Sequence, residues 1–247
     1  MKNYTSYQIL KKKVNHQVEH LEDGVLFFDF IDPVQQKMIG RELAAHQKIR
    51  YAFFGGHHLC ERKMLCVYTS SFKKDIQWPM SAILFIMDTS VNHRIILGAV
   101  MSLGLTRETI GDIIILDNTV QIVMKEHTAQ FIQTSLRSIK GRNITPEIIP
   151  VEQLVIPQQQ FNEEIIIVNS YRLDGFISSS FGVSRKTAVE LIKKGYVKIN
   201  HEIKTKSSCT ASISDLISVR GKGRFILYAF LGNSKKDKNK ILIRKYL

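Results

Sequence analysis

Residues 170–228 read SYRLDGFISSSFGVSRKTAVELIKKGYVKINHEIKTKSSCTASISDLISVRGKGRFILY, and the fold turns on this stretch. Leu173, Phe176, Ile177, Ser180 and Phe181 recur at helical spacing, which predicts a helix with one apolar face. Gly182 ends it, because glycine takes the left-handed cap conformation at little cost. Ser184 is a good N-cap, and a second amphipathic helix is expected over 185–194, closed by Gly195. Residues 196–199 alternate as a strand does, Asn200-His201 reads as a turn, and 216–220 and 225–228 read as two further strands. The unit is two helices leading into a small twisted antiparallel sheet.

Charge concentrates in the same region. Residues 169–247 hold 17 Lys and Arg against 5 Asp and Glu, a net +12, whereas residues 1–168 hold 18 against 17, a net +1. The whole-chain +13 therefore sits almost entirely in the last third. Such a segregated basic balance points to a polyanion, because neutralising phosphates releases counterions.

The ordered run Arg172-Leu173-Asp174, 181–185, Ala188, Leu191-Ile192, 195–197, Asn200 and 220–225 resembles the small RNA-binding domain named after ribosomal small-subunit protein four. Two positions depart from that pattern. His201 stands where a glycine follows the turn Asn, and Ser214-Asp215 replaces Gly-Asp. A left-handed His costs little, so the turn survives the change.

The chain has 247 residues, enough for two or three small domains, and its 44% hydrophobic content is ordinary for a globular protein. Without an 18-residue apolar run, no membrane span is expected. The polar start Met1-Lys2-Asn3-Tyr4 lacks a signal core, so a cytoplasmic protein is expected. Cys60, Cys66 and Cys209 are odd in number and lack metal spacing, which predicts free reduced thiols and no metal or other cofactor.

The fold class is α+β, read as three small mixed domains over 1–79, 80–168 and 169–247. An amphipathic helix is expected over residues 4–21, with Lys11-Lys12-Lys13 on its solvated face. Asp32, Pro33 and Gln35 form a helix start, with Asp32 as N-cap, Pro33 at the first position and Gln35 completing a capping box. That helix is expected to reach His46, followed by strands at 49–54 and 64–69. Between them, Gly55-Gly56 and Arg62-Lys63 offer a phosphate-backbone contact; adjacent His57 and His58 diverge and are not read as metal ligands.

The central domain is read as strand 82–87, helix 92–103, a helical turn at 105–112, a hairpin at 113–124, helix 126–139 and strand 144–151, with an RNA-recognition-like arrangement as one option. Residues 164–168 are its last strand. His93-Arg94, 97–99, 103–105, Arg107 and 110–113 are similar to the central domain of the YlmH family, which carries the basic module at its C-terminal end. The Asp32-Pro33 start and the 55–63 loop are similar to its N-terminal domain, so the resemblance spans nearly the whole chain. It implies a cytosolic RNA-binding factor acting on large ribosomal subunits obstructed by peptidyl-tRNA, with ribosomal RNA and tRNA as partners. It also implies a link to cell division.

Catalysis finds little support in the sequence. Arg172-Leu173-Asp174 echoes a pseudouridine-synthase signature, but Asp174 falls inside the first helix of the RNA-binding module and is read as a first-turn carboxylate. No G-x-G-x-x-G or P-loop is present for a nucleotide or nucleoside cofactor, and no nucleophile elbow is present. The expected function is a non-catalytic RNA-binding factor, a monomer without a small-molecule substrate. A ribosomal RNA-modifying enzyme with its site in 80–168, or a cell-division scaffold with a basic tail, are the alternatives.

The candidate RNA contacts begin at the second helix. Its N-terminal N–H groups at Ser184, Arg185 and Lys186 suit an anion, and Lys193 shares a face with Lys186. Arg172 belongs with them by the family resemblance. Lys198 and Asn200 follow on the strand and turn, and Arg220, Lys222 and Arg224 crowd the distal hairpin. The run Lys235-Lys236-Asp237-Lys238-Asn239-Lys240 is expected to be a mobile basic tail.

Overall fold

The computed structural model describes residues 2–87 and 91–247. Met1, which opens the polar N-terminal segment, and residues 88–90 lie outside the described residues. The chain divides into two compact units, residues 1–157 and 158–247.

The first unit begins with helix α1 (Lys2–Glu19), strand β1 (Val25–Ile31), helix α2 (Pro33–Leu43) and strands β2 (Ile49–Phe54) and β3 (Lys63–Thr69). The strands form an antiparallel sheet ordered β1-β3-β2. Leu10 and Val14 of α1 and Ile39 and Leu43 of α2 bury against Phe28, Leu65 and Val67 of that sheet. The start of α2 is the expected capping box: Gln35 N–H donates to Asp32 Oδ1 at 2.9 Å, and Asp32 N–H donates to Gln35 Oε1 at 3.1 Å. Such caps stabilise a helix by about 0.5–2 kcal/mol. The lysine triplet lies on the solvated side of α1, with Lys12 and Lys13 exposed, and its outer members also make ion pairs, Lys11 with Glu42 at 2.8 Å and Lys13 with Asp29 at 2.9 Å.

Next come β4 (Met80–Ile86), α3 (His93–Met101), β5 (Ile110–Leu116), β6 (Thr119–Lys125), α4 (Glu126–Ser135), the short pair β7 (Ser138–Ile139) and β8 (Arg142–Asn143), and β9 (Glu147–Ile149). Helix α4 is shorter than the 126–139 read from periodicity, because Ser138–Ile139 turns into a hairpin with Arg142–Asn143. The strand expected over 144–151 contracts to Glu147–Ile149. The four long-range strands form an antiparallel sheet ordered β5-β6-β4-β9. This βαββαβ arrangement with both helices on one face is the ferredoxin-like, split-βαβ topology, which RNA-recognition motifs share with many other domains.

Each face of this sheet is buried. Ile83, Phe85, Val120 and Ile122 face Ile96, Val100, Ala129 and Ile132 of the two helices. On the other face, Ala82, Ile114 and Val123 pack with Phe30, Cys60 and Met64 of the preceding sheet and with Val151 and Leu154. The boundary read at 79/80 therefore crosses a shared core, and 1–157 is one body. Burial raises the thiols of Cys60 to about 11 and Cys66 to about 12, so both stay protonated.

Arg62, read as a phosphate contact, has another role. Its Nε–H donates to the Ile110 carbonyl at 3.0 Å, and its NH2 donates to those of Phe30 at 2.8 Å and Arg107 at 3.1 Å. Arg107 in turn donates to the carbonyls of Ile110 and Gly111. Burial first, then the charge of Arg62, pulls the Arg107 guanidinium down to about 10. The pair ties β1 to β5 by main-chain carbonyls and is engaged within the fold.

The second unit holds β10 (Phe161–Val168), α5 (Leu173–Phe181), α6 (Arg185–Lys193), β11 (Val197–Ile199), β12 (Glu202–Lys204), β13 (Leu216–Val219), β14 (Gly223–Asn233) and β15 (Asn239–Tyr246). They form one antiparallel sheet ordered β10-β15-β14-β13-β11-β12. Two expectations change here. The strand assigned to the central domain pairs along its whole length with β15, from Phe161↔Tyr246 to Val168↔Asn239, so this unit begins at Gln158 rather than at residue 169. The residues read as a mobile tail are the turn of the β14–β15 hairpin, where Ser234 N–H donates to the Lys238 carbonyl at 2.7 Å; Lys240 already lies in β15. Helices α5 and α6 cover one face of the sheet, burying Leu173, Phe176, Ile177, Ala188 and Ile192 against Val197, Ile217, Phe225, Leu227 and Ile243. Burying each such side chain contributes roughly 1.5–3 kcal/mol.

Candidate nucleic-acid interface

The site is built on the junction of α5 and α6. Gly182 ends α5 with φ 62°, a left-handed cap. Two residues on, Ser184 starts α6: its Oγ accepts the Thr187 N–H at 3.1 Å. The capping hydroxyl is thus engaged within the helix, and the exposed Arg185 and Lys186 stand at the positive end of the helix dipole.

Asp174 organises the two arginines. Its side chain is 6% exposed, and Arg172 grips it with Nε to Oδ1 at 3.1 Å and NH2 to Oδ2 at 3.0 Å. Arg185 NH2 lies 3.8 Å from Oδ1. Gly175 N–H donates to the same Oδ1 at 2.9 Å. Burial pushes the Asp174 carboxyl up, but the Arg172 fork, the charge of Arg185 and the Gly175 N–H together hold it below the ordinary carboxylate value. Asp174 is more than a first-turn carboxylate: it sets two guanidiniums side by side while leaving Arg172 42% and Arg185 54% exposed.

The remaining candidates do not converge on this point. Lys186 and Lys193 are exposed along α6, whose nine residues span about 13 Å. At the far end of that helix the β13–β14 turn comes alongside: Arg220 N–H donates to the Tyr196 carbonyl at 2.9 Å, and the Arg220 guanidinium lies 5.1 Å over the Tyr196 ring. Lys222 is exposed in the same turn. The cations therefore follow a line along α6, as a phosphate backbone does. Asn200 serves the fold: its Nδ2 donates to Asp215 at 2.6 Å and its Oδ1 accepts the Leu216 N–H at 2.9 Å. With His201 it forms a two-residue turn with φ 48° and 68°, so the missing glycine is tolerated. Lys198 and Arg224 lie on the sheet face turned away from the helices, joined in register through Ser218.

Sequence reasoning missed Arg244 and the aromatic residues near it. Arg244 lies 3.4 Å over the Tyr228 ring and donates to Glu163 at 2.8 Å; Arg224 lies 4.2 Å over Tyr246. The alternation over 241–246 carried the signal, once 235–240 is seen as a turn. In the first unit, the face that an RNA-recognition motif offers to bases is buried: Ala82 and Val123 have no exposed surface, and the Gln121 amide is engaged with the Val155 backbone. Among the described residues no group of three or more His, Cys, Asp or Glu is placed to hold a metal, and no helix is long and apolar enough to cross a membrane.

Comparison with known proteins agrees with this layout. A family described as "Putative RNA-binding domain in YlmH" matches residues 85–153, and the S4 domain family matches residues 172–217. The "Ribosome-associated protein quality control protein P2" of Bacillus subtilis (strain 168) is 30% identical over 221 residues, 88% of this chain and 86% of that protein. The chain belongs to the YlmH family. A solved structure, "Cell division protein ylmH from Streptococcus pneumoniae", superposes with a TM-score of 0.54 and 17% identity over 63% of this chain and 96% of that one. At that identity the likeness speaks for the fold. As a YlmH-family chain, the protein carries one region that matches a putative RNA-binding domain and one that matches the S4 domain.

Proposed function

We propose that this protein is a non-catalytic factor that docks on large ribosomal subunits obstructed by peptidyl-tRNA, contacting ribosomal RNA and tRNA in the cytoplasm as a monomer. The observation that carries this reading is the Arg172–Asp174–Arg185 arrangement at the start of α6, with exposed cations continuing along the helix. Residues 158–247 hold 17 Lys and Arg against 7 Asp and Glu, a net +10. Arg172, Arg185, Lys186 and Lys193 meet phosphates of structured RNA, with Arg220 and Lys222 extending the track. The S. pneumoniae relative's name speaks of cell division and the B. subtilis relative's of ribosome quality control. The cations exposed along α6 suit a phosphate backbone, which favours the ribosomal role over a membrane-bound scaffold. Asp174, the residue that echoes a pseudouridine-synthase signature, is closed in by two guanidiniums and the Gly175 N–H, so it is not offered to a substrate.

Sedimentation through a sucrose gradient with purified 50S subunits tests the reading. The protein is expected to travel with subunits carrying peptidyl-tRNA and to leave them as salt rises. Protein that stays at the top at low salt sinks the proposal. Mass spectrometry of ribosomal RNA from a deletion strain tests the non-catalytic part: one modification lost, and restored by the gene, contradicts it.

A further inference from the structure

The sheet of the second unit has a face that no helix covers among the described residues. Strand alternation puts Phe225, Leu227, Ile241 and Ile243 into the core. It turns Arg224, Ile226 and Tyr228 of β14, and Leu242, Arg244 and Tyr246 of β15, to the opposite side. In register, Phe161, Tyr246, Arg224, Ser218 and Lys198 form a row across five strands. At a strand spacing of about 4.8 Å the row is roughly 19 Å long.

The side chains on this face make stacks. Arg224 lies 4.2 Å over the Tyr246 ring, and the Phe161 and Tyr246 centroids are 4.9 Å apart, edge to face. Arg244 lies 3.4 Å over Tyr228, whose surface is 44% exposed. Lys198, Arg224, Lys240 and Arg244 give the face four cations against Glu163. A wholly apolar partner would have to strip water from those cations. A nucleotide strand matches both halves of the surface, because bases stack on rings and guanidinium planes while phosphates meet the charges.

We infer that this open face is a second RNA site, which takes unpaired nucleotides by stacking on Tyr228, Tyr246, Phe161 and the arginines. It rests on the RNA-binding reading above and adds a division of labour. The start of α6 meets the phosphates of structured RNA, and the open sheet meets bases that are out of a helix. The corresponding face of the first unit's sheet is core and offers no such platform.

The test uses the full-length protein and two fluorescent probes, an eight-nucleotide single-stranded RNA and a blunt RNA duplex, read by anisotropy. Tyr228→Ala is expected to weaken the single strand about five- to hundredfold and the duplex less than twofold. Tyr228→Phe keeps the ring and binds as the parent does, whereas Tyr228→Leu behaves as Tyr228→Ala. Equal single-strand affinity in the parent and Tyr228→Ala overturns the inference. As a readout independent of any variant, 5-iodouridine in the single strand is expected to cross-link to peptides holding Phe161, Tyr228 or Tyr246. Cross-links confined to residues 172–194 overturn it too. A protein that travels with 50S subunits yet ignores the single strand leaves the proposed function standing and refutes the second site. A protein that travels with no subunit and binds neither probe refutes the RNA reading itself.

Discussion

The guanidinium of Arg172 and the carboxylate of Asp174 meet through two parallel bonds, 3.1 and 3.0 Å long. A bidentate pair of this kind fixes the plane of the arginine as well as its position. Arg185 approaches the same carboxylate, so one nearly buried anion determines where two partly exposed cations point. A phosphate arriving at the start of α6 finds those cations already ordered, which reduces the rotamer entropy lost on binding.

Asp174→Ala removes that organiser. The Gly175 N–H and the Arg172 fork lose their acceptor, and thermal unfolding is expected to show a loss of roughly 1–3 kcal/mol. Affinity for duplex RNA should fall even though the local positive charge has risen by one. A gain in duplex affinity at 150 mM salt would mean that net charge, and not geometry, governs the site.

The same carboxylate gives an acid limb to the stability curve. The folded Asp174 pKa lies below its unfolded value of 3.8, as do those of Asp29 beside Lys125 and Lys13 and of Glu42 beside Lys11 below 4.5. A depressed carboxylate contributes stability above its unfolded pKa and loses it as pH falls through the folded one. Urea unfolding is therefore expected to be flat with pH near neutrality and to weaken below about pH 4. Asp174→Asn should flatten that limb; an unchanged acid slope in the variant would remove Asp174 from the explanation.

Arg185→Ala together with Lys186→Ala should act mainly on binding, since Arg172 still holds the Asp174 carboxylate through two bonds when Arg185 is gone. Both side chains are exposed, and the Ser184 cap does not depend on them. Each phosphate contact contributes about one unit to the slope of log K against log salt. The double variant should flatten that slope by about two while its melting temperature stays within a degree or two. An unaltered slope would place the phosphate track elsewhere.

The sequence was most informative where local chemistry determines structure. Asp32, Pro33 and Gln35 formed the capping box that their identities require, and Ser184 and Gly182 bounded the two helices as expected. Long-range pairing was harder to read. Nothing local in FNEEIIIV says that it pairs with a strand 70 to 85 residues later, and a lysine-rich turn looks like a loose tail until its far strand is recognised. Arg62 misled for a related reason. An arginine beside two glycines suits a phosphate, and only tertiary structure delivers the carbonyls of Phe30, Arg107 and Ile110 to it. Likewise Asp174 needed the fold to bring Arg185 within reach.

The anchoring of Arg62 also explains a demand at Gly55. A Cβ built there would lie 2.4 Å from the Arg62 carbonyl oxygen and 2.8 Å from Cys60 Cβ, contacts that real side chains do not make. The obstacle is backbone, so it moves only if the Arg62 segment moves, and Arg62 is held by Phe30, Arg107 and Ile110 while Asp112 accepts its N–H at 3.1 Å. Gly55→Ala is therefore expected to cost about 1–3 kcal/mol, as overpacking of a dense interior does. It should also loosen the joint between β1 and β5, raising amide exchange at Arg62 and in both strands, while the second unit exchanges as before. Parent-like exchange in the first unit would show that the 55–63 loop has room to yield and that Arg62 does not hold the joint.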